Sequence, residues 1–240
     1  LYAACAGLLA RTQELELAAN NLANINTSGY KSQSSSFHSL LATARGIAPN
    51  SLVQAVNDFG VLGDSRTDLT QGSLERTNNE FDFALQGKGF FEIQSTGGSR
   101  YTRAGNFHLD AQRRLVTAEG DLVLGATGPI TLPPGTVSVS SDGTISVDGV
   151  LSGALRIVDF APGTVLTPAG RSSFSAPANA ARPAQGASVI QSSIESSNVN
   201  AISTAVSLIG LQRNADMLER ALTTFHSDLN RIAAEDLSRL

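Results

Sequence analysis

Leucine recurs every seventh residue at the start of the chain, at Leu1, Leu8, Leu15 and Leu22, with Ala4, Arg11, Ala18 and Ile25 between them. That spacing predicts a helix over residues 1–24 whose apolar seam suits a coiled coil or a helix bundle. At a rise of about 1.5 Å per residue it would be roughly 36 Å long. Arg11 interrupts the seam, where a long side chain snorkels or pairs with a partner carboxylate. Asn20, Asn21, Asn24 and Asn26 then crowd the helix end, and Thr27-Ser28-Gly29 closes it. Gly29 suits the left-handed conformation that ends helices. Asn20 and Asn24 share a face, so their amides either bond across to a neighbouring helix and fix register, or serve only in capping and turn chemistry.

Helical periodicity returns at the other end. Val199, Ile202, Val206 and Ile209 form one stripe, and Leu211, Ala215, Leu218, Leu222, Phe225, Leu229 and Ile232 form a second one out of phase with it. The phase change near Gly210 resembles a stutter, which predicts a seam that changes course there. Ser197 or Asn198 is the expected cap. Such an arm is too long to hide its stripe on a small β body, so it is expected to pack on the first helix and on neighbours.

The middle reads differently. All 8 prolines lie between Pro49 and Pro183, and 17 of the 22 glycines lie between Gly60 and Gly170. Short apolar runs at 81–85, 90–93, 107–109, 114–116, 122–124, 137–139, 145–147 and 155–160 alternate with turn signals such as Gly97-Gly98, Asp142-Gly143 and Asp148-Gly149. Many short strands at regular spacing predict an all-β domain, sandwich or barrel-like. The expected organisation is an N-terminal helix and its closing motif (1–31), an extended connector (32–65), a β domain (66–160), a Pro/Ala/Ser connector outside the core (161–197) and a C-terminal helix (198–240). The fold class is therefore a mainly β central domain flanked by N- and C-terminal α-helices that pair as a coiled coil.

Composition narrows the function. A net charge of -4 argues against a nucleic-acid surface. No stretch reaches the roughly 20 apolar residues of a membrane span, and the first residues lack the basic and apolar regions of a secretory signal. Cys5 is the one cysteine, so neither an internal disulfide nor a thiolate metal site is expected. On an amphipathic helix it reads as a small buried hydrophobe. His38, His108 and His226 are too scattered for a ligand set, and Glu75, Glu80 and Asp82 read as surface carboxylates rather than a catalytic pair. Gly87-Lys88-Gly89 lacks the following Ser/Thr and helix of a phosphate loop, which favours a tight hairpin. No catalytic residue, cofactor, metal or small-molecule substrate is expected.

Asn20-Asn21-Leu22-Ala23-Asn24 followed by Thr27-Ser28-Gly29-Tyr30-Lys31 resembles the amino-terminal signature of the bacterial flagellar rod and hook proteins. Gly72-Ser73-Leu74, Thr77-Asn78-Asn79, the run Phe81 to Phe91 and Tyr101-Thr102-Arg103-Ala104-Gly105-Asn106-Phe107 are similar to that family's central blocks. Residues 128–146 look most like its proximal-rod branch. Ser197-Asn198-Val199-Asn200, then Leu211-Gln212-Arg213, resembles the carboxy-terminal signature, with Gly210 a departure from it. The resemblance implies an axial structural subunit, with distal rod or hook subunit as the alternative. It implies terminal helices stacked around an export channel, torque carried through many interfaces, and arms that order on assembly. Implied partners are copies of itself, other flagellar rod and hook proteins, and the flagellar type III export apparatus, with no nucleic acid. The expected location is the periplasm-spanning rod of the flagellum basal body.

The assembly interface is expected at Leu1, Leu8, Leu15, Asn20, Asn21, Leu22, Asn24, Ile25, Asn198, Val199, Ile202, Val206, Leu211, Leu218, Leu222, Phe225, Leu229 and Ile232. Read from the residues alone, a coiled-coil-stalked β adhesin or binding module is the rival. An enzyme with an unrecognised site in the β domain is a more distant one.

Overall fold

A computed structural model describes residues 2–35 and 65–237. The chain divides into two compact units. The first draws on Leu1–Ala23, Gln33–Asp68 and Asn200–Leu240, and the second on Asn24–Ser32 and Leu69–Val199.

The first unit is helical. Helix α1 spans Tyr2–Ala23 and helix α2 spans Ala201–Leu237, within a residue or a few of the predicted bounds. The two helices lie against each other. Strand β1 (Gln33–Ser35) pairs antiparallel with β2 (Ser65–Thr67) beside them. Helix α2 runs unbroken through Gly210. Asn200 caps it, its Oδ1 accepting from Ser203 N at 3.0 Å, in place of the expected Ser197 or Asn198.

The second unit is mainly β, as the turn spacing predicts. Strands β3 (Leu74–Arg76) and β4 (Phe83–Gln86) open it, followed by β5 (Phe90–Ser95) and β6 (Gly98–Thr102). Strands β7 (His108–Leu109), β8 (Leu115–Val116) and β9 (Leu122–Gly125) extend the sheet begun by β5 and β6. A separate antiparallel sheet holds β11 (Val137–Val139), β12 (Thr144–Val147) and β13 (Val150–Ala154), after the short β10 (Gly128–Pro129). Val147 faces Val150 across a two-residue turn in which Asp148 and Gly149 both have positive φ, as a tight hairpin requires.

Two features correct the sequence reading. Gly87 to Gly89 is not a hairpin: β4 pairs with β18 (Ser188–Gln191), whereas β5 pairs with β6, β9 and β14 (Ile157–Phe160). The glycines carry the chain from one sheet to another. Nor is 161–190 a connector outside the core. It holds β15 (Thr167–Pro168), β16 (Ser173–Ser175), β17 (Ala181–Pro183) and β18, and buries Leu166, Phe174 and Val189. Prolines hid these strands from a pattern search. Pro129, Pro168 and Pro183 each sit in a strand of two or three residues, where a missing ladder donor costs little.

Phe83, Leu85, Phe91, Ile93, Leu115, Val123, Leu132 and Ile145 anchor the larger core cluster. Phe90, Tyr101, Val158, Leu166 and Phe174 form a smaller one. Successive residues Phe90 and Phe91 thus feed opposite faces of one strand, which is how an uninterrupted apolar pair can serve two cores. Phe91 is fully buried and meets Phe107 edge-on at 5.3 Å. Phe91→Ala should cost about 3–5 kcal/mol of unfolding free energy in a denaturant titration followed by near-ultraviolet circular dichroism.

Candidate assembly site

The expected interface residues fall into both units. On α1, Leu15 and Leu22 are half-buried, Asn20 is exposed and Asn21 is buried. The Asn21 amide bonds a strand. Its Nδ2 donates to Gln33 O at 2.7 Å and its Oδ1 accepts from Gln33 N at 2.9 Å, mimicking a strand partner for β1. Arg11 pairs with Glu14 on the same helix at 2.6 Å, not with a distant carboxylate. Leu1 lies outside the described residues. So do the side chains of Leu8, Leu218, Leu222, Phe225, Leu229 and Ile232, which sit on helical backbone, and those of Cys5 and His226. His38 also lies outside the described residues.

Helix α2 carries two lines of apolar residues on different faces. Thr204, Ala205, Leu208, Leu211 and Ala215 are half-buried and follow one continuous line through the Gly210 region. Among the described residues this half-buried line runs from Leu208 to Leu211 and Ala215 without a change of phase. The other line stays open: Ile202 is 78% exposed, Val206 66% and Ile209 52%, and Met217 beyond them is exposed as well. Between the second half of α1 and the first part of α2 runs an open groove. It is lined by Leu17, Ala18 and Asn21 on one side and by Ser203, Ser207, Gly210 and Asn214 on the other. Among the described residues no helix is long and apolar enough to cross a membrane.

Asn24, Ile25, Asn198 and Val199 belong to the second unit, at its two chain exits toward the helices. Here the sequence blocks singled out above converge on Glu195, fully buried in β19 (Ser193–Glu195), which pairs with β3. Lys31 Nζ, also buried, contacts Glu195 Oε1 and donates to Thr70 O at 2.6 Å. Gly72 N donates to the same Oε1 at 2.9 Å. Arg103 Nη1 reaches Glu195 Oε2 at 3.1 Å, and its Nη2 donates to Gly87 O at 2.6 Å. Burial pulls the Arg103 guanidinium below its ordinary value while Glu195 pushes it back up. Phe90 supports the guanidinium from one side, its ring centre 5.3 Å from Cζ.

The two exits also bond each other. Gly29 N donates to Glu195 O at 2.7 Å, Asn198 N to Tyr30 O at 3.4 Å, and Ser32 N to Asn198 Oδ1 at 2.7 Å. Asn198 Nδ2 donates to Thr70 O at 3.1 Å. Asn24 O accepts from Thr27 N at 3.1 Å and its Oδ1 from Thr27 Oγ1 at 3.2 Å, a turn at the helix end. Gly29 takes φ 66°, and a Cβ there would lie 2.1 Å from Ala104 N. A Cβ at Gly72 would lie 2.0 Å from Ser196 O. Both glycines are needed for close approach of backbone to backbone.

Sequence reasoning missed Glu195 and the ionic role of Arg103. A signal existed: Glu195 is the sole charged residue between Arg182 and Arg213, and Lys31 the sole one between Glu16 and Arg45. Glu195→Ala, which leaves two buried cations facing each other, should cost about 3–5 kcal/mol of stability by chemical denaturation. Gly29→Ala should cost more than about 1 kcal/mol in the same assay, from the forced φ alone.

Comparison with known proteins places these elements. Residues 1–31 match the family model described as flagella basal body rod protein, and residues 84–147 match that of the flagellar hook protein FlgE/F/G D1 domain. The chain is 31% identical to the flagellar basal-body rod protein FlgF of Caulobacter vibrioides, over 100% of this chain and 98% of that protein. It is 33% identical to the FlgG rod protein of Agrobacterium fabrum, over 93% and 94% of the two chains. With the FlgG rod protein of Bacillus subtilis the identity is 30%, over 93% and 94%. The chain belongs to the flagellar basal-body rod protein family.

Proposed function

We infer that this protein is a structural subunit of the bacterial flagellar rod, built into the axial shaft through its terminal helices. The observation that carries this reading is the open apolar line Ile202, Val206, Ile209 on a helix already packed on its other side against α1. A helix that is apolar on two faces needs two partners, and the chain itself supplies one. A neighbouring subunit supplies the second. The full-length match to proteins named as basal-body rod proteins supports the same partner.

In this reading α1 and α2 pair as a coiled coil. Copies of that pair stack around the axis and enclose the export channel. The β domain, two-layered like a sandwich, lies outside and touches neighbouring rod and hook subunits, so torque is shared among many interfaces. The packing of the helix pair in the shaft offsets the ordering cost of the arms. Delivery runs through the flagellar type III export apparatus, and the location is the periplasm-spanning rod. The interface comprises the helical stripe residues from Leu1 to Leu22 and from Ile202 to Ile232. Asn24, Ile25, Asn198 and Val199 hold the bases of the arms.

The chain resembles FlgF and FlgG proteins to nearly the same degree. Within the rod we favour the proximal segment, on the likeness of residues 128–146 to that branch. The double variant Ile202→Asp/Val206→Asp separates assembly from folding, since both side chains are exposed. It should abolish motility and leave the subunit out of purified basal bodies, while the β domain melts within about 1 °C of the parent. Normal incorporation would overturn the role given to that face. In strains lacking FlgF or FlgG, rescue of the FlgF-deficient strain alone is expected, and rescue of only the other would reassign the position.

A further inference from the structure

We propose that Glu195 is a positioning residue that ties the two chain exits of the β domain into one cooperative anchor, so that neither exit opens without the other. The incoming exit is the segment 24–32 and the outgoing one 195–199, and both lie within one compact unit. Glu195 serves both with separate atoms. Its backbone oxygen accepts from Gly29 N, Oε1 meets Lys31 and Gly72 N, and Oε2 meets Arg103.

The charges make the coupling strong. If the incoming exit peeled away alone, Glu195 would lose Lys31 at Oε1 and Gly29 N at its backbone oxygen. If the outgoing exit left alone, Lys31 and Arg103 would remain as two buried cations with no anion between them. Each half-open state strands a desolvated polar or charged group, whereas joint opening hydrates all of them at once. Asn198, bonding both Ser32 and Thr70 from the outgoing side, adds a second link of the same kind. The two exits lead directly into α1 and α2, so a pull on either helix is resisted by the bonds of both. This inference rests on the β domain alone and not on the rod reading. Its failure would leave the assembly experiment untouched, and the converse holds too.

Native-state amide hydrogen exchange on the full chain tests it, read by mass spectrometry on peptides covering 24–32, 69–74 and 195–199. In the parent protein the exit peptides should exchange at rates within about threefold of each other. Lys31→Met keeps the Glu195–Arg103 pair and the buried volume, and removes one charge on the incoming side only. It should speed exchange at both exits by about tenfold or more, and leave peptides of β4 and β5 unchanged. Acceleration confined to 24–32, or no acceleration, would overturn the proposal. General destabilisation is controlled with Val189→Ala, a core cavity away from the charges. If Lys31→Met merely reproduces the exchange profile of that variant at equal loss of stability, the anchor is overturned as well.

Discussion

A carboxylate without water must be repaid atom by atom, and the second unit is organised around that requirement. Glu195 is fully buried, so each of its oxygens needs donors, and the donors come from three parts of the chain: Gly29 and Lys31, Gly72, and Arg103. Mutual attraction inside protein roughly offsets desolvation only when geometry is good and the remaining hydrogen bonds are made. The ion cluster is thus a poor source of net stability and a strong source of specificity. It accepts one arrangement of these segments and penalises others by leaving charge exposed to an apolar interior. The two close-approach glycines follow from it, because backbone must reach backbone before a short carboxylate can be shared among so many groups.

How much of this could be read beforehand depends on the range of the interaction. Local chemistry was legible. The seven-residue leucine spacing marked α1, the later stripes marked α2, and Gly29 marked the end of the first arm. Asp148-Gly149 and Gly97-Gly98 marked hairpins that exist. Partner choice was not legible. Gly87 to Gly89 looks like a hairpin locally, yet β4 finds β18 about a hundred residues on, and nothing in a glycine pair says which sheet the next strand joins. The short strands β15 to β17 escaped notice because proline and small residues carry no alternating pattern, although their sheet neighbours bury Phe174 and Leu166. The Lys31–Glu195 pair spans 164 residues. Only its isolation in uncharged surroundings hinted at it.

The candidate site divided in the same manner. Ile202, Val206 and Leu211 are on α2 where periodicity put them, yet their two faces were read as one seam with a stutter. Two separate faces on an unbroken helix explain the same residues without any change of phase. Ser197 or Asn198 is the expected cap, and Asn20 and Asn24 are expected either to bond across to a neighbouring helix or to serve in capping and turns. Instead Asn200 caps, Asn198 links the exits, and Asn21 completes the edge of a short strand. In each case the residue type was right for a backbone-bonding amide, and geometry chose which backbone.

The mixed lining of the groove between the two helices bears on assembly. The groove between α1 and α2 is lined by Ser203, Ser207, Gly210, Asn214 and Asn21 together with Leu17, Ala18 and Leu211. The larger aliphatic side chains Ile202, Val206 and Ile209 point away from that groove and stay exposed. The chain thus leaves that aliphatic line uncovered, while small residues keep the groove beside it open. In the proposed assembly, that open aliphatic face is the one a neighbouring subunit would cover.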